Sequence, residues 1–300
     1  MLALLGSACA HAPVGPDLSI PPGPLAEAWR LPARILDGKT GAELDEAALL
    51  ARLMDARVIY VGEKHDRAWD HAVQVGIIDR VYRQDPSLAV GMEMYKRPFQ
   101  KWVSDYVAGR IDEGKMLDKT EWEKRWGFDF ALYRPILEYA RQHSLPVLAL
   151  NSRDEITRQV AREGLDSLEQ VDRETLPELD LDVASHRARL EEIFSEHSHG
   201  HGKLAFEGFY TAQVIWDETM AHEVAAELTS EGAPHRVVVL AGSGHVRYRD
   251  GIPDRAARRG AEPYLTIHPL VIEDGEDEAE EVQAALTEGD ADLLWVMRPN

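Results

Sequence analysis

The chain has 300 residues, 44% of them hydrophobic and 29% charged, which suits a globular α/β protein with a sizeable core. Its 53 acidic residues against 33 basic ones give a net charge of −20, which argues against nucleic acid as a partner, because such binding depends on neutralising phosphates. A single cysteine, Cys9, excludes an intramolecular disulfide and a thiolate zinc cluster.

The position of Cys9 carries more than its number. Leu2 to Leu5 is apolar, Gly6-Ser7-Ala8 is small, and Pro-rich polar sequence follows. This pattern suits the end of a bacterial lipoprotein signal with Cys9 as the lipidated residue, and so a chain anchored by lipid in the cell envelope, at the outer membrane or its periplasmic face. The apolar run is short, no Lys or Arg precedes it, and Gly6 stands where a large apolar residue is usual. A start assigned too far downstream would account for the missing basic region; a plain N-terminus with a stray cysteine is the alternative. No other stretch approaches the ~20 apolar residues needed to span a bilayer. Residues 1–9 are thus read as a signal remnant and 10–32 as a tether, with prolines at 13, 16, 21, 22, 24 and 32. A single domain is expected over 33–300.

In that domain Ile35-Leu-Asp-Gly reads as a strand and turn, and Asp45 caps a helix reaching about Ala56. Val58 to Val61 is an apolar, β-branched and aromatic run of the kind buried on both faces of a sheet, and it ends in Gly62-Glu63-Lys64-His65-Asp66. Residues 67–83 have helical periodicity through Trp69, Val73, Ile77 and Val81. His71 stands six residues after His65, away from the one-turn spacing that directs two imidazoles at one metal. Leu88 to Met92 is the second core strand, with Glu93 at its end, and 97–108 is an amphipathic helix. Trp122, Trp126, Phe128 and Phe130 can line a flat apolar pocket or pack one helix on another.

A helix follows over 133–143, with Pro135 in its first turn. Pro146 to Leu150 is the third core strand, tipped by Asn151-Ser152-Arg153. Residues 155–196 read as charged helices with solvated faces, broken at Pro177. His197, His199 and His201 form a compact loop that could bind a metal or simply be a surface loop. A long helix spans 206–229. Arg236 to Leu240 is the fourth core strand, ending in Gly242-Ser243-Gly244-His245, and strands over 264–272 and 292–297 flank an acidic surface run at 273–281.

Strands alternating with helices predict an α/β fold: a mainly parallel sheet with helices on both faces, in one large domain with helical insertions. Ligands of such sheets bind beyond the carboxyl ends of the strands. Glu63, His65, Glu93, Asn151 and His245 should therefore converge. Neutral His can ligate a metal or take a proton near neutral pH, while Glu can orient it, ligate a hard cation or act as a base. The alternative is that Glu63 and Glu93 are buried partners of Arg134 or Arg153. No G-x-S-x-G elbow or dinucleotide fingerprint is present.

Several motifs occur in a specific order: Gly62-Glu63-Lys64-His65-Asp66, Gly91-Met-Glu93-Met, Trp126 with Tyr133-Arg134-Pro135, Ala149-Leu-Asn151, Ala212-Gln213 with Asp217-Glu218, and Ala241-Gly-Ser-Gly-His245. Together they resemble the ChaN-like haem-binding lipoprotein family of the Tiki/erythromycin-esterase-like superfamily. The resemblance implies an outer-membrane-associated lipoprotein in haem or iron acquisition, and a homodimer holding haem at its interface through Tyr and His ligands. Tyr133 is the first candidate ligand; Tyr210 and the His197, His199 and His201 loop come next, with Arg134 and Asn151 beside them. Superfamily members also include metal-dependent hydrolases. In that alternative Glu63, His65, Glu93 and His245 are catalytic, and His65, Glu93 and His245 hold a divalent metal.

Overall fold

The computed structural model, which describes residues 33–197 and 203–298, turns the apolar runs of the sequence into strands of one sheet. Strands β1 (Ala33–Asp37), β2 (Val58–Glu63), β3 (Leu88–Lys96), β4 (Val147–Asn151), β5 (Arg236–Gly242), β6 (Tyr264–Val271) and β7 (Leu293–Met297) lie in the order β1-β7-β6-β2-β5-β3-β4. Only β1 runs antiparallel, against β7. The helices are α1 (Glu46–Asp55), α2 (Ala68–Gln84), α3 (Gln100–Val107), α4 (Glu113–Lys119), α5 (Trp122–Arg125), α6 (Phe130–His143), α7 (Asp154–Glu163), α8 (Gln170–Arg173), α9 (Ala184–His197), α10 (Lys203–Thr229), α11 (Ser243–Val246), α12 (Ile252–Ala257) and α13 (Glu278–Glu288). Cys9, the Pro-rich tether, His199 and His201 lie outside the described residues.

The apolar runs lack alternation because each side of the sheet is covered. Ile59 and Val61 of β2 enter a core with Leu49, Ile77 and Leu137, while Val58 and Tyr60 enter the opposite one with Met220 and Val224. Burying each such side chain stabilises by about 1.5–3 kcal/mol, and a one-residue slip would exchange the two sets. The register is therefore tightly specified. β2 sits centrally, with β5 and β6 as neighbours, and the chain from β2 first crosses to β3 before β5 fills the gap. That reversal marks the place where α/β sheets open a crevice at their carboxyl ends.

Two boundaries differ from the sequence expectation for physical reasons. Strand β3 does not stop at Met92; it continues to Lys96 through a register shift against β4. Helix α6 begins at Phe130 because the Asp129 carboxylate accepts the Ala131 N–H at 2.8 Å, so Pro135 falls inside the helix rather than in its first turn. The acidic run at 273–281 also proves partly helical: Asp277 caps α13, whose first-turn acids suit the positive end of the helix.

Both edges of the sheet are covered by the chain itself. On β1, Asp37 N–H donates to Ala42 O and Leu44 N–H to Ile35 O, each at 2.8 Å. On β4, the Gln100 side chain takes the ladder positions of a missing strand: its Nε2 donates to Val147 O at 2.7 Å and its Oε1 accepts from Ala149 N–H at 2.6 Å.

The long insertion between β4 and β5 is fastened by one carboxylate. Glu218 of α10 is fully buried and ion-paired with Arg255, with Arg258 at 2.8 Å and with Arg259 at 2.6 Å; Arg255 is itself 1% exposed. Glu218 also accepts the Asp180 N–H at 3.0 Å, and Arg255 donates to Asp180 O at 2.9 Å, so α10, α12 and the segment before α9 meet at one point. Removing one partner of a buried ion pair strands the other. Glu218→Ala is expected to cost about 3–5 kcal/mol, measured as a fall in the urea unfolding midpoint.

Candidate functional site

Four side chains singled out in the sequence meet at the carboxyl ends of β2, β3 and β5. The first is Glu63, the last residue of β2, which is buried and surrounded by donors. Its Oε1 is 2.8 Å from His65 Nδ1 and accepts from Tyr133 OH at 3.0 Å; its Oε2 accepts from Gln74 Nε2 at 2.8 Å and faces His71 Nδ1 at 3.2 Å. Burial alone would push this carboxyl up, but the His65 hydrogen bond and the charges of His71 and His65 outweigh it and hold Glu63 below its ordinary value. Burial likewise pulls His65 down, and Glu63 and Glu93 more than compensate, so His65 is raised.

His65 is the open part of this pair, with 32% of its side chain exposed. Glu63 takes Nδ1 and leaves Nε2 as the outward atom. Trp126 stands edge-on to the imidazole at 4.7 Å and Phe128 lies tilted at 5.0 Å, both half-buried. Beneath it is Gly242, where a Cβ would sit 2.8 Å from His65 Cε1 and 3.5 Å from Glu93 Oε2. Only glycine leaves room for both groups.

Glu93 reaches the site because β3 bulges. The β3–β5 ladder ends at Met92 opposite Leu240, and beyond it the Glu93 Oε2 accepts the Gly242 N–H at 2.6 Å. Its other oxygen, Oε1, is 3.6 Å from His245 Nε2. His245 sits in α11, directly after β5, and its Nδ1 is 2.6 Å from Asp217 Oδ1 of α10. Burial pulls His245 down, but Asp217 and Glu93 push it up to about 9. Asp217 is held low, its burial outweighed by His245. The result is two imidazole–carboxylate pairs, Glu63–His65 and Asp217–His245, on either side of Glu93. Each presents Nε2 and hides Nδ1, an arrangement that suits proton donation and acceptance.

The other sequence candidates lie elsewhere. Tyr133 is fully enclosed, its hydroxyl donating to Glu63 and lying 3.1 Å from His65 O, and burial with the Glu63 charge raises it far above an ordinary tyrosine. As placed, it is part of the scaffold of Glu63 and not an accessible iron ligand. Tyr210 is also buried, donating to Leu181 O at 3.0 Å. Arg134 forms a two-point ion pair with Glu113 at 2.8 Å, and Arg153 pairs with Asp172 at 2.7 Å, so neither partners Glu63 or Glu93. Asn151 is buried and caps its own strand, accepting from Ser152 N–H at 2.8 Å. His197 closes α9.

The expected metal trio also needs correcting. Among the described residues no three His, Cys, Asp or Glu side chains form a group able to hold a metal ion. Of the polar atoms there, one Glu93 oxygen is already taken by the Gly242 N–H, and each imidazole gives its Nδ1 to a carboxylate.

Sequence reasoning named Asp217 in a motif without giving it a role, and missed Gln74 and His186. Asp217 follows the apolar run Val214-Ile-Trp216 of α10 and Gln74 lies on the buried face of α2, and a polar residue at a buried helical position is the signal that could have found them. His186 had no such signal: it lies within the charged segment read as solvated, yet is 1% exposed.

The His245 pair predicts a pH dependence of stability. Its folded value of about 9 lies above the ordinary 6.5, so the pair's contribution is fully present below pH 6.5 and is lost as pH rises toward 9. Urea unfolding should show a loss of about 3 kcal/mol across that window, and Asp217→Asn should remove most of the slope.

Comparison with known proteins agrees with this geometry in fold. A family model described as "Haem-binding uptake, Tiki superfamily, ChaN" matches residues 49–256. The solved structure of ChaN from Campylobacter jejuni, which shows cofacial haem binding in that protein, aligns with a TM-score of 0.68 at 18% identity, covering 89% of this chain and 97% of that one. An erythromycin esterase, EreC, in its open conformation aligns with a TM-score of 0.47 at 13% identity, over 80% of this chain and 76% of that one. Among curated proteins, RETICULATA-RELATED 5, a chloroplastic protein of Arabidopsis thaliana, is 23% identical over 245 residues, 76% of this chain. The chain spans about a third of that plant protein's length, 33%. On the family match, the chain belongs to the ChaN haem-binding uptake family of the Tiki superfamily.

Proposed function

We propose that this chain binds haem and serves haem or iron acquisition, held at the cell envelope by a lipid on Cys9 and acting as a homodimer. The observation that carries the haem reading is His65: an imidazole about a third exposed, held at Nδ1 by a buried carboxylate, with Nε2 not taken by that carboxylate and two aromatic rings beside it. Those features fit a haem. An imidazole nitrogen suits the iron, a carboxylate on the opposite nitrogen raises its basicity, and Trp126 and Phe128 suit the edge or face of an apolar macrocycle. The bound group would supply the redox and ligand chemistry of iron, while the protein would orient it and limit its contact with water. The anchor reading rests on the Leu2–Cys9 pattern alone, and the homodimer on resemblance to the family.

A second reading is favoured by a different observation. Glu93 between two oriented imidazoles is acid–base machinery, and a haem held by His65 alone gives Glu93 and the Asp217–His245 pair no task. On this reading the strand tips hydrolyse an ester or amide, with His245 and His65 exchanging protons and Glu93 accepting a hydrogen bond from the reacting water.

Titration of haem into the purified haem-free protein separates the two. Binding should give a saturable shift of the main haem absorbance band, weakened about tenfold or more by His65→Ala and little changed by Tyr133→Phe. A wild type without a saturable shift sinks the haem reading. A shift that survives His65→Ala but is lost when His197, His199 and His201 are all replaced by Ala moves ligation to that stretch. For the second reading, turnover of an ester and amide panel should fall about 10²–10⁴-fold in Glu93→Gln and His245→Ala, and a wild type without turnover ends it. Fatty-acid labelling that disappears in Cys9→Ser tests the anchor, and sedimentation of the purified protein tests the dimer.

A further inference from the structure

The Asp217–His245 pair does not end at Asp217. The second carboxylate oxygen, Oδ2, has no hydrogen-bond partner of good geometry, and the group it faces is His186 Nε2 at 3.3 Å. His186 comes from α9, in the insertion between β4 and β5, and both residues are essentially sealed from solvent. On the far side of the ring, Arg255 Nη2 lies 3.1 Å from His186 Nδ1. A guanidinium has only donors, so Nδ1 must be the accepting nitrogen. The ring then carries its proton on Nε2, the nitrogen 3.3 Å from Asp217 Oδ2, close to the carboxylate without the alignment of a full hydrogen bond. Burial also favours the neutral ring here, outweighing the attraction of Asp217.

We infer that His186 is a positioning residue for His245: through its Nε2–H it fixes the Asp217 carboxylate, so that Oδ1 receives the His245 Nδ1–H and His245 Nε2 is turned to Glu93. The series runs Arg255, His186, Asp217, His245, Glu93, with separations of 3.1, 3.3, 2.6 and 3.6 Å. Arg255 is held in turn by Glu218 and by the carbonyls of Asp180 and Asp250, so it cannot swing away without breaking the clamp of the insertion. The insertion thereby sets which nitrogen of an imidazole on the sheet keeps its proton when the ring is neutral. Sequence spacing hides this link, because His186 and His245 are far apart in the chain and no motif joins them.

The inference rests on the strand tips being a chemical centre, and its test uses no turnover, so its failure and that reading's failure are distinguishable. The probe is the two-bond ¹H–¹⁵N spectrum of protein labelled at histidine, in which the two neutral tautomers and the imidazolium give different nitrogen shifts. Wild type should show His186 neutral with its proton on Nε2, and His245 as the imidazolium below its value of about 9 and, above it, as the neutral ring with its proton on Nδ1. His186→Gln, whose amide can donate to Asp217 and accept from Arg255, should keep the His245 pattern. His186→Leu should move the neutral His245 ring, above that pH, toward a mixture of tautomers. A His186 that carries its proton on Nδ1, or is charged, overturns the inference. So does a folded His186→Leu protein with unmoved His245 shifts, or a His186→Gln protein that loses the pattern while remaining folded. Should His186→Leu fail to fold, the wild-type and His186→Gln spectra decide by the same criteria.

Discussion

Beyond the end of the β3–β5 ladder at Met92 and Leu240, the Gly242 N–H would be buried without a partner, and the Glu93 carboxylate accepts it. A buried unpaired N–H costs about 1–3 kcal/mol, so this one bond both completes the sheet and fixes a carboxylate at its opening. The other parts of the site are built around it. Gly242 has no side chain, and a Cβ there would press on the His65 ring at 2.8 Å while Glu93 stayed at contact distance. His245 follows in the short helix that begins at Ser243, and so lies within reach of Glu93 by chain connection alone.

The two imidazoles are oriented by different kinds of support. His65 is served locally: Glu63 is two residues away, and Gln74, His71 and Tyr133 complete the carboxylate's shell from α2 and α6. His245 depends on distant chain, since Asp217 belongs to α10 and is backed by residues of α9 and α12. The first pair is thus built mainly by the β2–α2 unit, with Tyr133 added from α6, and the second exists only when the insertion is docked. Such long-range support is slow to form and sensitive to distant substitution, whereas local support is neither.

That difference also explains what the sequence revealed. Apolar runs buried on both faces are conspicuous, and a polar residue following such a run marks a strand end, so Glu63, His65, Glu93 and His245 were legible as one cluster. The bulge in β3 was not, because nothing in Glu93-Met-Tyr-Lys96 distinguishes a strand that continues from one that stops. Tyr133 shows the opposite failure: a motif match places a residue near a site without saying whether its hydroxyl faces a ligand or, as here, a buried carboxylate. Asp217 and His186 lie on helices, where periodicity reports a face but not depth. His186 in particular is surrounded by charged neighbours whose solvation says nothing about its own ring.

The Gln100 side chain on the edge of β4 bears on the protein's behaviour in a crowd. It occupies one carbonyl and one N–H whose spacing is that of a strand, and the β1 edge is stoppered by its own returning chain. A neighbouring molecule therefore finds no backbone template at those positions of either end of the sheet. At β4, however, the stopper is one flexible side chain. The boundary between a sheet that is finished and one that can recruit foreign strands is there a matter of a few side-chain torsions.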